Sequence, residues 1–549
     1  MACRAEQWRP SRLAYAALAI AGLMAQGRAD AQARTCDARP VVAVVGGGLA
    51  GLSATMEAFE AGAQVYLLDK EKRPGGNSAK ATSGINGAGT PAQARQGISD
   101  TTEAFVEDTI KSGGGRSAPA LVDVVVGQSS EAVRWLTQDF GLDLSALSHC
   151  GGHQAPRTHR IPPTPEGRPV PVGFTTIKGV LSKVQEHPAE VTIVTGARVT
   201  ELLSHDGRVT GVRYTEAEGG GVKDLQVDAV VLATGGYAYD RSESSLLWEH
   251  ARDKVHLATT SGPQATGDGV RLATAAGAEL VDMDQIQVHP TSLVDPSDPL
   301  NLSKFLAPES MRGSGGILVD GHGRRFVDEL ATRAVVTGAI FEKGALPPRP
   351  PPKEGETEPA EKVCVAYMVL NEEAAAAFGK GVLGFYKSKG LVKEVDNASQ
   401  AAEALGIEGG EAFALGETLE AYALAATEGV DEFGKRHFPV KKFTANEKLY
   451  LSIITPAIHY TMGGVRIDSD ARVLRRPKEE EEEASDMEPI PGLFAAGEVT
   501  GGVHGSNRLA GNSLLECVVF GRRAGRGAAA EAAAVFADGC QPEGTLATE

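Results

Sequence analysis

Val41-Val42-Ala43-Val44-Val45 runs without a break into Gly46-Gly47-Gly48-Leu49-Ala50-Gly51, and this junction constrains the chain more than any other feature. A continuous apolar run with no polar alternation reads as a parallel strand covered on both faces. Leu52 to Ala61 is helix-forming, and Gln64 to Asp69 is a second apolar run that ends in an acid. Strand, helix and strand make a βαβ unit of the usual size. Gly46, Gly48 and Gly51 satisfy G-x-G-x-x-G between strand and helix, the context that lends the pattern weight. The first glycine permits a tight turn, the second lets backbone approach a pyrophosphate, and the third allows close helix–strand packing. The helix N-terminus then faces phosphate charge. Asp69 lies about 20 residues beyond the turn, where an acid accepts hydrogen bonds from an adenosine ribose.

That unit serves NAD and FAD alike, so the choice rests on residues further along the chain. Gly75-Gly76-Asn77-Ser78 and Ser83-Gly84-Ile85-Asn86 form a second small-residue stretch, suited to threading past a pyrophosphate and a flavin. Gly497-Glu498-Val499-Thr500-Gly501-Gly502 and Arg508 to Leu515 come much later. A cofactor touched from residue 46 to residue 515 is long and buried, as FAD is.

At 549 residues the chain exceeds one simple core, so two or more domains are expected. Forty-two per cent apolar residues and 66 glycines suit an α/β protein rich in tight turns. A formal charge of −17 argues against general nucleic-acid binding. It also means that an anionic substrate would need a locally cationic pocket. The six cysteines, Cys3, Cys36, Cys150, Cys364, Cys517 and Cys540, form no C-x-x-C or C-x-x-C-H. A zinc ribbon, a thioredoxin-like pair, c-type haem attachment and an iron–sulfur set are therefore unsupported, and no metal is expected.

Residues 1–39 read as a targeting leader. Arg4, Arg9 and Arg12 precede the apolar run Leu13 to Ala25, and Ala29-Asp30-Ala31-Gln32-Ala33 offers an A-x-A cleavage site. The run is short for a membrane span. A secretory signal toward the endoplasmic reticulum fits best, with an uncleaved anchor or a mitochondrial presequence as alternatives. No later segment could cross a bilayer. Further strands are expected at Val191 to Val194, Val209 to Tyr214 and Asp228 to Ala233. From about 284 to 457 the character shifts toward helix. Pro347 to Pro352 and Lys478 to Glu483 read as exposed loop insertions.

Six motifs then occur in order. They are Gly151-Gly152-His153 with Pro156-Arg157-Thr158-His159-Arg160, Gln287-Val288-His289-Pro290-Thr291, Glu309-Ser310-Met311-Arg312-Gly313, Gly323-Arg324-Arg325-Phe326, His459-Tyr460-Thr461-Met462-Gly463-Gly464, and Gly505-Ser506-Asn507-Arg508. Over roughly residues 40 to 535 the chain resembles the soluble fumarate reductases of the succinate dehydrogenase/fumarate reductase flavoprotein superfamily. The likeness is greatest to the single-chain fungal type and more distant to the flavin part of flavocytochrome c.

The resemblance implies an α/β fold: a Rossmann-like FAD-binding domain (40–283 and 458–540) interrupted by an α+β capping domain (284–457). It implies that His289, His459 and Arg508 hold two substrate carboxylates, with Ser83 and Gly511 beside them. Arg333, in Ala331-Thr332-Arg333, matches the proton donor to substrate carbon, and Glu309 and Arg312 match its relay, with Gln287 nearby. The implied FAD contacts are Gly46, Gly48, Ala50, Gly51, Asp69, Asn77, Ser78, Gly84, Ala233, Asp268, Tyr460, Glu498, Ser513 and Leu514. The reaction implied is reduction of fumarate to succinate, with hydride from flavin N5 and a proton from the arginine relay.

Taken singly, each side chain has a plainer reading. A histidine before proline is commonly a satisfied core residue, and an Arg–Glu pair is commonly a surface ion pair. Only their joint placement in ordered motifs points to chemistry. Arginine normally stays charged, so a donor role needs a very basic carbon and prompt reprotonation. Pro308 stands where flavocytochrome relatives have threonine, which removes one substrate hydroxyl contact. The stretch Asn77 to Asn86 holds no histidine for a covalent flavin link, so noncovalent FAD is expected. The electron donor must be external: a free reduced flavin, a partner reductase or an artificial dye. Alternatives are reduction of another unsaturated acid, of urocanate or aryl acrylate type, and a non-enzymatic flavin-binding protein whose site would have decayed.

Overall fold

The computed structural model describes residues 39–165, 168, 170–217, 220–344, 364–406, 412–477 and 487–539. The leader up to residue 38, the Pro347–Pro352 segment and the Lys478–Glu483 run lie outside the described residues.

Strand Val41–Val45 sits inside a six-stranded sheet, between Gln64–Asp69 and Ala229–Leu232. Val191–Thr195 and Pro489–Ala495 extend the parallel pairing outward, and Arg472–Leu474 closes one edge antiparallel. Val42, Val44, Val65 and Leu67 are fully buried. Each such side chain contributes about 1.5–3 kcal/mol by leaving water, which is why an unbroken apolar run belongs in this layer. The helix after the glycine turn is Leu49–Glu60, three residues earlier than expected, so the turn's last residues are already helical. It packs against the C-terminal helix Asn512–Gly539. The expected strand at 209–214 is Arg208–Glu216 and belongs to a separate antiparallel three-stranded sheet with Ala197–His205 and Val222–Gln226.

A second sheet has seven strands. Its path runs Phe305–Leu306, Ile286–Leu293, Leu449–Thr461, Ala366–Asn371 and Ile317–Val319, with Ala258–Thr259 and Lys393–Val395 also pairing to Leu449–Thr461. The apolar side chains gather in two cores. One draws on Val42 to Ile286 and Ile458 to Ala532, the other on Leu293 to Ile454. The 13-residue strand Leu449–Thr461 crosses from one core to the other. Its partner Ile286–Leu293 is antiparallel and loses register between Gln287 and Val288, and again between His289 and Ser292. Such bulges re-aim side chains locally. Here they fall on the strand that carries Gln287 and His289.

Among the described residues no helix is long and apolar enough to cross a membrane. Cys150, Cys364 and Cys517 are free thiols.

Candidate active site

The turn works as its spacing predicts. Gly46 has φ +106°, and a Cβ there would stand 2.3 Å from the Ala233 carbonyl oxygen. At Gly51 a Cβ would meet the Gly46 carbonyl at 1.8 Å, so helix and turn touch backbone to backbone. Gly48 differs, because a Cβ there would meet nothing closer than Ser78 Oγ at 3.7 Å. Its φ of −70° suits any residue. The protein itself does not require glycine at position 48; a ligand lying against it would.

That position opens on a cavity of about 520 Å³. Apart from Gly51, which lies behind the turn, every residue expected to bind FAD lines this cavity, as do Ser83 and Gly511. The helix Leu49–Glu60 starts with no side-chain cap and no acid in its first turn, although Ser78 Oγ accepts from Leu49 N at 3.3 Å. Its free N–H groups and dipole favour a phosphate there. Asp69 Oδ2 accepts from Gly47 N at 2.8 Å and Oδ1 from Glu71 N at 2.8 Å, which ties the ribose-side acid to the turn. Asn77 Oδ1 is held by Gly262 N and Gln264 Nε2, each at 3.0 Å. Asp268 is ion-paired to Lys70 and Arg198 at 2.9 Å. These residues fit an FAD: an uncapped helix start, a turn open at its middle glycine, and a long cavity.

At the other end the same cavity is lined by Arg333, His459 and Arg508. His289 sits just behind, its ring centre 5.4 Å from that of His459. Burial and then nearby charge hold both imidazoles far below their usual range, so both are neutral. His459 Nδ1 is 2.7 Å from Thr260 Oγ1, and His289 Nδ1 lies within 3.2 Å of both the N–H and the carbonyl of Thr291. Arg508 is only 5% exposed and its Nε finds no hydrogen-bond partner among the described residues. Burial, then the Arg333 charge, push it down to about 9. A guanidinium keeps its proton regardless, so that drop marks a buried cation in want of an anion.

Arg333 is clamped on two sides. Its Nε and Nη2 donate to Glu309 Oε2 at 3.1 and 3.0 Å, and Nη1 donates to Gln287 Oε1 at 3.0 Å. Gln287 Nε2 in turn donates to Asn507 Oδ1 at 2.7 Å and to the Arg508 carbonyl at 2.9 Å. Glu309 Oε1 accepts from Gly151 N at 3.0 Å. Burial alone would raise Glu309, but the Arg333 and Arg312 charges outweigh it and hold the carboxyl at about 2. Glu498 goes the other way and is pushed up to about 7 by burial, with Thr461 N donating to it at 3.0 Å. Two guanidinium groups, of Arg333 and Arg508, therefore line this end of the cavity beside the firmly ionised Glu309, with the charge of buried Arg312 behind them, a cationic pocket inside an acidic protein.

Among the described residues no hydrogen bond joins Arg312 to Glu309. Arg312 lies on the short helix Glu309–Gly313 and donates through Nη1 to the Glu329 carbonyl, while its Nε and Nη2 have no hydrogen-bond partner among the described residues. It influences Glu309 through charge, not through a hydrogen bond. Three contributors have no role assigned from sequence: Gly151, Thr260 and Asn507. Gly151 and Asn507 stand inside motifs, which was the available signal for them; Thr260 carried none.

The chain is similar over most of its length to known flavoproteins. The family described as FAD binding domain matches residues 41–514. A fumarate reductase of Schizosaccharomyces pombe is 41% identical over 489 residues, 88% of either chain. Fumarate reductase 1 of Saccharomyces cerevisiae is 39% identical over 505 residues, 88% of this chain and 97% of the yeast protein. The open conformation of a flavocytochrome c3 fumarate reductase superposes with a TM-score of 0.72 at 31% identity, covering 96% of this chain and 82% of that one. With an FAD-binding turn, a cationic pocket at the far end of one cavity, and these relatives over nearly its whole described length, the chain belongs to the succinate dehydrogenase/fumarate reductase flavoprotein superfamily and is an FAD-dependent oxidoreductase.

Proposed function

We propose that this protein reduces fumarate to succinate. The observation that carries the reading is Arg508: a buried guanidinium without an Nε partner, lining one cavity with Arg333 and the neutral His459. A planar dianion with a carboxylate at each end suits that arrangement. Arg508 takes one carboxylate as a planar fork, and the imidazoles of His459 and His289 donate single N–H bonds. As charge develops on the bound carboxylate, these donors are already in place and desolvated, which is where they lower a barrier most. The 46–84 and 497–514 walls would hold FAD noncovalently, and the hydride would come from that flavin when reduced.

Arg333 gives the proton to the other alkene carbon through the N–H bonds of Nη1 and Nη2 that Gln287 and Glu309 leave free. Losing that proton removes the positive charge beside Glu309, whose basicity then rises enough to take up a proton and hand it to the far more basic neutral guanidine of Arg333. The Glu309 side chain is 22% exposed while Arg312 is buried, which favours supply to Glu309 from solvent. The 293–454 core acts as a cap over the core that carries the turn, and its closure excludes water. Electrons come from an external donor, a free reduced flavin or a partner reductase.

Anaerobic oxidation of dithionite-reduced viologen by the FAD-loaded protein, with a panel of enoates, tests the reading. Turnover with fumarate is expected. Turnover with a urocanate- or acrylate-type monocarboxylate and none with fumarate would overturn it.

A further inference from the structure

Arg508 has few bonds of its own to hold it. Nη1 donates to the Leu509 carbonyl at 3.3 Å and Nε is unpartnered. What does meet the guanidinium is the face of Tyr460, whose ring centre lies 4.5 Å from the guanidinium carbon. That ring is anchored at its far end. The phenol donates to Glu516 Oε1. Glu516 Oε2 lies 2.7 Å from His504 Nε2, in contact but off the line of a hydrogen bond. The His504 ring meets Tyr460 edge-on at 5.9 Å. Tyr460, Glu516 and His504 are 4%, 1% and 3% exposed, so nothing in this stack is solvated.

We propose that Tyr460, aimed by Glu516 and His504, is a positioning residue that sets Arg508 in the geometry to receive a substrate carboxylate. The inference rests on the carboxylate-binding reading of the cavity. A flat guanidinium prefers an aromatic face, and the attraction grows when both are out of water. A phenol that donates to a carboxyl group also enriches its own ring in electrons, so the hydroxyl does more than fill space. Burial pushes Glu516 up and His504 down, so the pair brings no free charge under the ring. The segment from His504 to Glu516 carries Arg508 as well, so one stretch of chain both presents the arginine and aims its platform.

The test titrates the oxidised, FAD-loaded enzyme with fumarate, succinate and acrylate, following the flavin absorbance. The proteins compared are wild type, Tyr460→Leu, Tyr460→Phe and Glu516→Met, which removes the acceptor at similar side-chain length, with steady-state kinetics and melting run in parallel. For whichever carboxylate the wild type binds, Tyr460→Leu raises Kd and KM about tenfold, and the other two variants raise them about threefold. FAD content stays at the wild-type value in Tyr460→Phe, and the melting midpoints fall as the loss of buried contacts requires, without a matching fall in kcat. Wild-type Kd in an FAD-loaded Tyr460→Leu protein overturns the proposal, as does a fall in melting midpoint and kcat with Kd unchanged. Should the leucine variant lose FAD, wild-type affinity in both milder variants overturns it instead. If the wild type binds acrylate and no dicarboxylate, the fumarate reading fails while the Tyr460 comparison is still decided on acrylate. Should the wild type bind no carboxylate, both fail.

Discussion

The two ends of the cavity are built differently. At the cofactor end the work is done by backbone: the turn at 46–51, an uncapped helix start, and Asp69 tied to Gly47 within a single βαβ unit. At the substrate end it is done by side chains drawn from residues 287–289, 309, 333, 459 and 508. They meet because strand Leu449–Thr461 pairs with Ile286–Leu293 where the two apolar cores adjoin. A site made of backbone tolerates few residue types but needs little of the rest of the chain. A site made of distant side chains is chemically richer and depends on every register shift between its strands.

Four substitutions break or sharpen this contrast, in falling order of effect. Gly51→Val puts a branched side chain where even a Cβ would stand 1.8 Å from the Gly46 carbonyl, so no FAD-loaded protein is expected. Flavin absorbance and the yield of folded chain report it; a normally loaded enzyme would contradict the backbone account. At the other end, Arg333→Gln keeps fold and FAD but lowers kcat about a thousandfold, the scale on which a single aimed donor acts. Activity near wild type there would remove Arg333 as donor and leave water in its place.

Glu309→Gln lowers kcat about a hundredfold, as loss of one positioned proton carrier does. It also changes the acid response. The Glu309 carboxyl is held at about 2 against an ordinary 4.5, so its ionised form stabilises the fold fully above pH 4.5. That contribution is lost as pH falls from about 4.5 toward 2, and melting midpoints of the glutamine variant should fall less over that window. Equal acid slopes in the two proteins would mean that the Arg333 pairing adds no stability. Smallest is Gly48→Ala, where the nearest atom to a Cβ is 3.7 Å away. Melting of the FAD-free protein should not move, while the Kd for FAD rises about tenfold through overpacking against the ligand. A destabilised FAD-free protein would show that the fold, and not the cofactor, needs that glycine.

The cofactor end was legible because its residues are contiguous. Strand, turn, helix and acid succeed one another, and the structure differs in starting the helix at Leu49 instead of Leu52 and ending it at Glu60 instead of Ala61. The substrate end was legible as a set of motifs but not as a network. The Arg333–Glu309 pair was expected and is present at 3.0 Å. Arg312 was matched to the same relay, but among the described residues no hydrogen bond joins it to Glu309, and it turns to the Glu329 carbonyl. Gln287 was placed near the relay, but its second bond, to the Arg508 carbonyl, could not be foreseen. That bond spans more than two hundred residues and depends on bulges at 287–288 and 289–292.

By itself the sequence determined the cofactor class and the identities of the charged residues, because glycine spacing and local periodicity act over a few residues and survive without tertiary context. Only the tertiary structure decided which of those residues touch. Whether Glu309 bonds Arg333 and Gly151 or Arg312, and whether Arg508 is met by a carboxylate of the protein or by the face of Tyr460, depends on strand register and burial. A one-residue slip of the 286–293 strand would turn His289 to the opposite face while leaving every motif intact.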